Sequence, residues 1–157
     1  MKLVLVGKAA SGKDHLKTRL RKKGFIAGVS HTTRQPRKGE QEGVDYYFVD
    51  DATFQQMVKN EEFVEYMEFN GCFYGQTKED FEQAEIMIMS KDGLDILPKE
   101  YRDRCVVIYL DIDRKTRIQR LNERDDKNDT ITRRLFADDE QFKDFKDFDI
   151  RMTNPDF

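Results

Sequence analysis

The opening of the chain leaves few folds open to it. Lys2-Leu-Val-Leu-Val6 reads as a buried strand, and Lys13 to Lys23 carries a helical pattern closed by Gly24. Between them lies Gly7-Lys-Ala-Ala-Ser-Gly-Lys13. A glycine-rich loop in that setting turns backbone N–H groups and a helix N-terminus toward one anion. The spacing GxxxxGK[ST] is met up to its last position, where Asp14 stands in place of the hydroxyl. The loop therefore predicts that Gly7, Lys8, Ala9, Ala10, Ser11, Gly12, Lys13, Asp14 and His15 wrap nucleotide phosphates, with Lys13 reaching the outermost one. The competing reading is a glycine-rich turn that binds nothing. Magnesium takes hard oxygen ligands in octahedral array, so the Asp14 carboxylate is the candidate metal ligand. Without the ion that carboxylate would repel phosphates, so nucleotide binding is expected to depend steeply on magnesium.

Strand and helix signals alternate beyond the loop. A short strand is expected near Phe25 to Val29, and from Ser30 to Gln76 the texture becomes polar and turn-rich. That stretch holds Tyr46-Tyr-Phe-Val49, a short helix begun by Asp50 or Asp51, and the strand Phe63 to Phe69. A helix from about Thr77, a strand Glu85 to Met89, a short helical stretch and the strand Cys105 to Leu110 follow. Arg114 to Arg124 and Ile131 to Phe145 read as amphipathic helices, joined by the polar linker Asp125 to Asp129 that suits a mobile lid. The pattern predicts an α/β domain spanning 1–157, with a parallel sheet covered on both faces, a small mixed insertion at 30–76 and a helical lid at about 120–135.

Composition narrows the partners. The chain is 38% hydrophobic and 38% charged, yet its net charge is only −3, so the charges are interspersed and no nucleic-acid partner is expected. Leu3 to Val6 is too short for a signal-peptide core and no run is long enough to span a bilayer, which predicts a cytoplasmic protein without a membrane partner. Cys72 and Cys105 lack metal-site spacing and read as reduced small hydrophobes.

The insertion carries its own chemistry. In Ser30-His-Thr-Thr-Arg-Gln-Pro-Arg-Lys-Gly-Glu40, Arg34 and Arg37 stand three apart around a stiffening proline. Two planar guanidiniums so held suit a phosphate dianion, the alternative being an ordinary solvated basic loop. Alternation along Phe63 to Phe69 puts Phe63, Glu65, Met67 and Phe69 on one side. Glu65 is then either a carboxylate on an apolar face needing a donor-rich partner, or an edge residue in water.

Taken together, S-x-T-T-R-x-P-R-x-G-E, then G-x-D-Y-x-F, then E-F-x-E with G-x-x-Y-G a few residues on, resemble the guanylate kinases closely. The resemblance implies a three-layer P-loop kinase fold and phosphorylation of GMP or dGMP to the diphosphate by ATP and Mg2+, in a monomer or homodimer. It makes Arg34, Arg37, Tyr46 and Tyr74 the clamp on the acceptor's phosphate, and Glu65 the acceptor from guanine N1–H and the 2-amino group. Ser30 would help at O6, with Gln76 and Ser90 also at the base. Arg120-Leu-Asn-Glu-Arg124 and Ile131-Thr-Arg-Arg-Leu135 are similar to the family's paired lid arginines, so Arg124 and Arg134 join Lys13 and Arg34 as catalytic candidates. Asn154 resembles the family's late asparagine near the adenine of ATP.

The sequence also departs from that pattern. Ile88 and Ser90 stand where the family carries two aspartates, and Gln76 replaces a serine beside the base. The acid gained at Asp14 suggests that the metal's negative partner has moved from strand to loop. The chain ends soon after Asn154, without the family's final helix, as expected of a compact phage-type member. Two other readings stay open: a kinase for another (deoxy)nucleoside monophosphate, and a catalytically silent guanylate-kinase-like binding module.

Overall fold

The computed structural model of the chain describes residues 1–123 and 131–157. In chain order its elements are β1 (Lys2–Gly7), α1 (Lys13–Lys22), β2 (His31–Thr32), β3 (Tyr47–Phe48), α2 (Asp51–Lys59), β4 (Phe63–Phe69) and β5 (Cys72–Thr77). There follow α3 (Lys78–Gln83), β6 (Ile86–Ile88), α4 (Lys91–Ile96), α5 (Lys99–Arg102), β7 (Cys105–Leu110), α6 (Arg114–Glu123), α7 (Ile131–Gln141) and β8 (Ile150–Met152).

One sheet has the order β6-β1-β7-β8 with every pairing parallel. Its two faces are sealed separately, because successive side chains of a strand point opposite ways. Val4, Val6, Val107 and Tyr109 pack on one face with Phe81, Phe142 and Phe145. Leu5, Ile108 and Leu110 pack on the other against Leu16 and Leu20 of α1. Helices thus cover both faces of a parallel sheet, the layering expected of alternating strands and helices. The sheet is narrower than the sequence suggested: the strand expected near Phe25 to Val29 is a single bridge, Ala27 to Ile86. Gly24, with φ of 98°, has just turned the chain out of α1, and pairing there stops after one residue.

The second sheet runs β3-β2-β5-β4 and is built from the expected insertion. Asp50 caps α2 by accepting the Thr53 N–H at 2.7 Å. Phe54 of α2 stacks on Phe63 and Phe73, with ring centroids at 4.6 and 5.4 Å. The β4–β5 hairpin, which was not anticipated, turns on Asn70-Gly71 with φ of 57° and 75°, the left-handed pair that a tight hairpin requires. A register shift between Phe63 and Glu65 corrects the expected alternation. The extra residue, Val64, is 6% exposed and enters the main core, while Phe63 swings over to the α2 side. Glu65 and Met67 keep the opposite face. The second of the two amphipathic helices also ends earlier than expected, at Gln141, with Phe142 and Phe145 serving the core from beyond it. Among the described residues no helix is long and apolar enough to cross a membrane.

Candidate active site

The loop from Gly7 to Lys13 alternates ordinary and left-handed backbone, with φ of 59° at Ala10 and 97° at Gly12. That alternation is the geometry of an anion-binding nest of N–H groups. Gly12 is the N-cap of α1, and a side chain there would be strained by its φ and would meet the Phe157 ring at 2.9 Å. Lys13 Nζ donates to the carbonyls of Gly7 at 2.6 Å and Lys8 at 3.0 Å, which holds its ammonium across the loop. Asp14 lies in the first turn of α1, where the dipole favours an acid.

A cavity of about 520 Å³ joins this loop to the insertion and to α7. Ala9, Ala10, Ser11, Gly12, Lys13 and Asp14 line one end of it, and Arg34, Arg37, Tyr46 and Tyr74 line another. Arg134 borders it from α7, together with Ile88 from the tip of β6. Arg34 makes a two-pronged pair with Glu40, at 3.0 and 2.9 Å, and its guanidinium lies 5.4 Å from the centre of the Tyr46 ring. Glu40 also accepts the Arg37 N–H at 2.7 Å, so one carboxylate orders both arginines of the turn. Burial, then the nearby Asp14 charge, pushes the Tyr46 hydroxyl up to about 12. Tyr46 therefore enters any reaction as a neutral donor.

The base candidates lie outside the lining of that cavity. Glu65 reaches the first turn of α4, where a methyl on Gly93 would sit 2.6 Å from its Oε2. Burial pushes its carboxyl up to about 7, against the pull of the Gln76 backbone N–H. Ser90 caps α4 by accepting the Gly93 N–H at 2.9 Å and donates to Met67 Sδ at 2.7 Å. Gln76 is fully buried, and its side chain bonds Ser30 and Asp80. Glu65, Ser90, Gln76 and Ser30 thus cluster around β4, β5 and the start of α4. Arg124 lies outside the described residues.

Several site residues had no signal in the sequence. Asp138, four residues after Arg134 and so on the same helical face, accepts the Ala9 N–H at 2.9 Å from within the same cavity. Burial raises its pKa, with the Ala9 N–H and Lys13 acting the other way. Arg117, 2% exposed, lies 3.6 Å from Asp138 and 3.9 Å from Asp139, tying α6 to α7. A second cavity of about 420 Å³ is lined by His15, Arg120, Pro155 and Phe157, among others. Arg120 closes it by donating to the carbonyls of Ala10 and Pro155, both at 3.1 Å. Asn154 adjoins it, accepting the Asp156 N–H at 2.9 Å.

A phosphate loop facing arginines and tyrosines across one cleft, on a parallel sheet sealed by helices, defines a phosphotransferase of the P-loop class. The guanylate kinase family model matches residues 1–157. The guanylate kinase of Trichodesmium erythraeum is 34% identical over 161 residues, covering 97% of this chain and 87% of that protein. That of Myxococcus xanthus is 33% identical, with 99% and 79% covered. A crystal structure of guanylate kinase from Anaplasma phagocytophilum superposes with a TM-score of 0.71 at 25% identity, covering 99% of this chain and 77% of that one. The chain belongs to the guanylate kinase family, the nucleoside monophosphate kinases named for GMP.

Proposed function

We propose that the chain transfers the γ-phosphoryl group of ATP to GMP or dGMP, in the cytoplasm and with magnesium. The observation that carries this reading is the single cleft in which the phosphate loop, the Arg34 and Arg37 turn and Arg134 meet. An oxygen of the acceptor's phosphate forms a bond to the γ-phosphorus as the bond to the β–γ bridging oxygen breaks, and the products are the nucleoside diphosphate and ADP. Such a transfer asks the protein for positioning and charge neutralisation. Lys13 and the loop N–H groups hold the donor, and Tyr46, Tyr74, Arg34 and Arg37 hold the acceptor's phosphate. Residues 120–135 act as a lid that brings Arg124 and Arg134 onto the migrating group. The adenine lies toward the cavity of His15 and Phe157, beside Asn154.

A metal held chiefly by phosphates needs only one or two carboxylates from the protein, and Asp14 on the cavity wall fits that demand. Ile88 on the same wall contributes no ligand. When bound, magnesium supplies charge neutralisation on the donor's phosphates. Glu65, held among Met67, Ser90 and Gly93, accepts the N1–H and 2-amino donors of guanine. A coupled assay with magnesium and ATP over the common nucleoside monophosphates tests the proposal. ADP release with GMP or dGMP is expected, and release with a pyrimidine monophosphate but neither of these would refute it.

A further inference from the structure

The face of α7 that carries Arg134 also presses a carboxyl onto the phosphate loop. Asp138, mostly buried, accepts the Ala9 N–H through Oδ2 at 2.9 Å. One residue on, Asp139 pairs with Lys8 of the same loop at 3.0 Å, so α7 is fastened there at two consecutive positions. The surroundings are those of an anion site: burial raises the Asp138 pKa, while the Ala9 N–H, Lys13, Arg117 and Lys8 all pull the other way. An N–H carries one proton, so Ala9 cannot serve Asp138 and a phosphate oxygen at once, whether the acid is ionised or neutral. A second place for the carboxyl already exists. Arg117 is 2% exposed, and its Nε donates to the Ile112 carbonyl at 3.0 Å. Its Nη1 lies 3.6 Å from Asp138 Oδ2 and is buried without a hydrogen bond among the described residues. A buried donor left without an acceptor is costly, and a small rotation of Asp138 off the loop would supply one.

We propose that Asp138 is a displaceable plug of the phosphate loop: in the empty enzyme its carboxyl takes the Ala9 N–H that the outermost phosphate of ATP needs, and as that phosphate arrives the carboxyl turns to Arg117. This rests on the reading of the loop as an ATP site, in which Lys13 reaches the outermost phosphate, the end at which Lys13 also attracts Asp138. Both positions of Asp138 offer it a partner, so the element has two states, which the nucleotide biases by competing for one of them. Asp139 keeps its own pair with Lys8, so the switch is a side-chain movement and α7, with Arg134, stays beside the loop. The apparent affinity for ATP is then the intrinsic one reduced by the unplugged fraction. ADP stops short of that end of the loop and meets less competition.

The test is calorimetric titration, with magnesium present, of a non-hydrolysable ATP analogue and of ADP into the native enzyme, Asp138→Ala and Asp138→Asn, with thermal melting as the folding control. Asp138→Ala is expected to tighten the ATP analogue about threefold to tenfold, the worth of one hydrogen bond no longer competed for, and to change ADP by less than about twofold. Asp138→Asn keeps an oxygen that can accept from Ala9, so it should fall between the native enzyme and Asp138→Ala. Unchanged or weaker binding of the ATP analogue in Asp138→Ala overturns the proposal, because a residue that shapes the loop or holds the metal would weaken binding when lost. Equal tightening of ADP overturns it too, as does Asp138→Asn as tight as Asp138→Ala, which would assign the gain to charge alone. Where Asp138→Ala does not fold, Asp138→Asn decides: the ratio of the ADP Kd to the analogue Kd should rise about twofold, and a ratio at the native value overturns the proposal. A native enzyme that binds neither nucleotide would remove the functional reading as well, whereas binding of both with an unmoved ratio removes this inference alone.

Discussion

The phosphate end, in the cleft, and the proposed base end, beside β4 and β5 and outside its lining, are built from different materials. At the phosphate end the proposed recognising groups are backbone N–H groups set by Ala10 and Gly12, with long cations arrayed around them. At the base end they are short side chains locked among themselves: Glu65 against α4, Ser90 spent on its helix cap, and Ser30 joined through buried Gln76 to Asp80. Backbone geometry tolerates substitution of its side chains, and a phosphate looks alike on every nucleotide. A buried hydrogen-bond chain is decided atom by atom, so one exchange such as glutamine for a smaller residue can reverse a donor. On the proposed function, the phosphate end would govern turnover and the base end would govern choice.

The largest effect should come from the phosphate end. Arg134→Ala is expected to lower kcat by about a thousandfold, the lower end for an arginine on a migrating phosphoryl group, and Arg124→Ala by a similar factor. Steady-state kinetics at saturating GMP check this, and near-normal kcat for both would remove them from the catalytic set. Next come the acceptor's phosphate contacts. Arg34→Ala or Arg37→Ala should weaken GMP about tenfold to a hundredfold while leaving an ATP analogue nearly unaffected, as titration of each ligand would reveal. In Arg34→Ala, Glu40 also loses its two-pronged partner, so that variant should be the worse of the two.

The contrast in materials explains what could be read in advance. The phosphate loop, the bounds of β4 and β7 and the Asp50 cap were legible because each is a local matter of periodicity, glycine placement or a capping side chain. The bulge at Val64 was not, because the core's demand for one more apolar side chain overrides alternation. Nor was β8, whose three residues are a strand only through pairing with Ile108 to Leu110. Asp138 meets Ala9 across 129 positions of chain, and Asp80 meets Val29 across 51. In a sequence that is 38% charged, nothing local distinguishes those carboxylates from solvated ones.

Smaller effects probe each end in turn. On the proposed function GMP is held by ionised Glu65, and burial has raised that carboxyl to about 7. Protons therefore compete with GMP as the pH falls through 7: its KM should be flat above that point and rise up to about tenfold per unit below it. A KM level down to pH 5 would contradict the placement of Glu65. At the phosphate end, Asp14→Ser should raise the magnesium needed for half-maximal rate by a few-fold, about the worth of one ligand, and Asp14→Ser with Ile88→Asp should lower it again. An active Asp14→Ser with unaltered magnesium dependence would leave Asp14 as a helix-start acid favoured by the dipole.

The division of labour itself is tested by kcat/KM for GMP and for AMP at pH 8, measured in the native enzyme, Arg134→Ala and Glu65→Gln. Glu65 is mostly ionised there, and AMP sets an acceptor N1 against it and has no 2-amino donor, so the native enzyme should favour GMP by about a hundredfold. The account predicts that Arg134→Ala lowers both values and preserves their ratio, whereas Glu65→Gln lowers the GMP value by about a hundredfold and collapses the ratio. A ratio that moves with Arg134 and survives the loss of the Glu65 charge would contradict it.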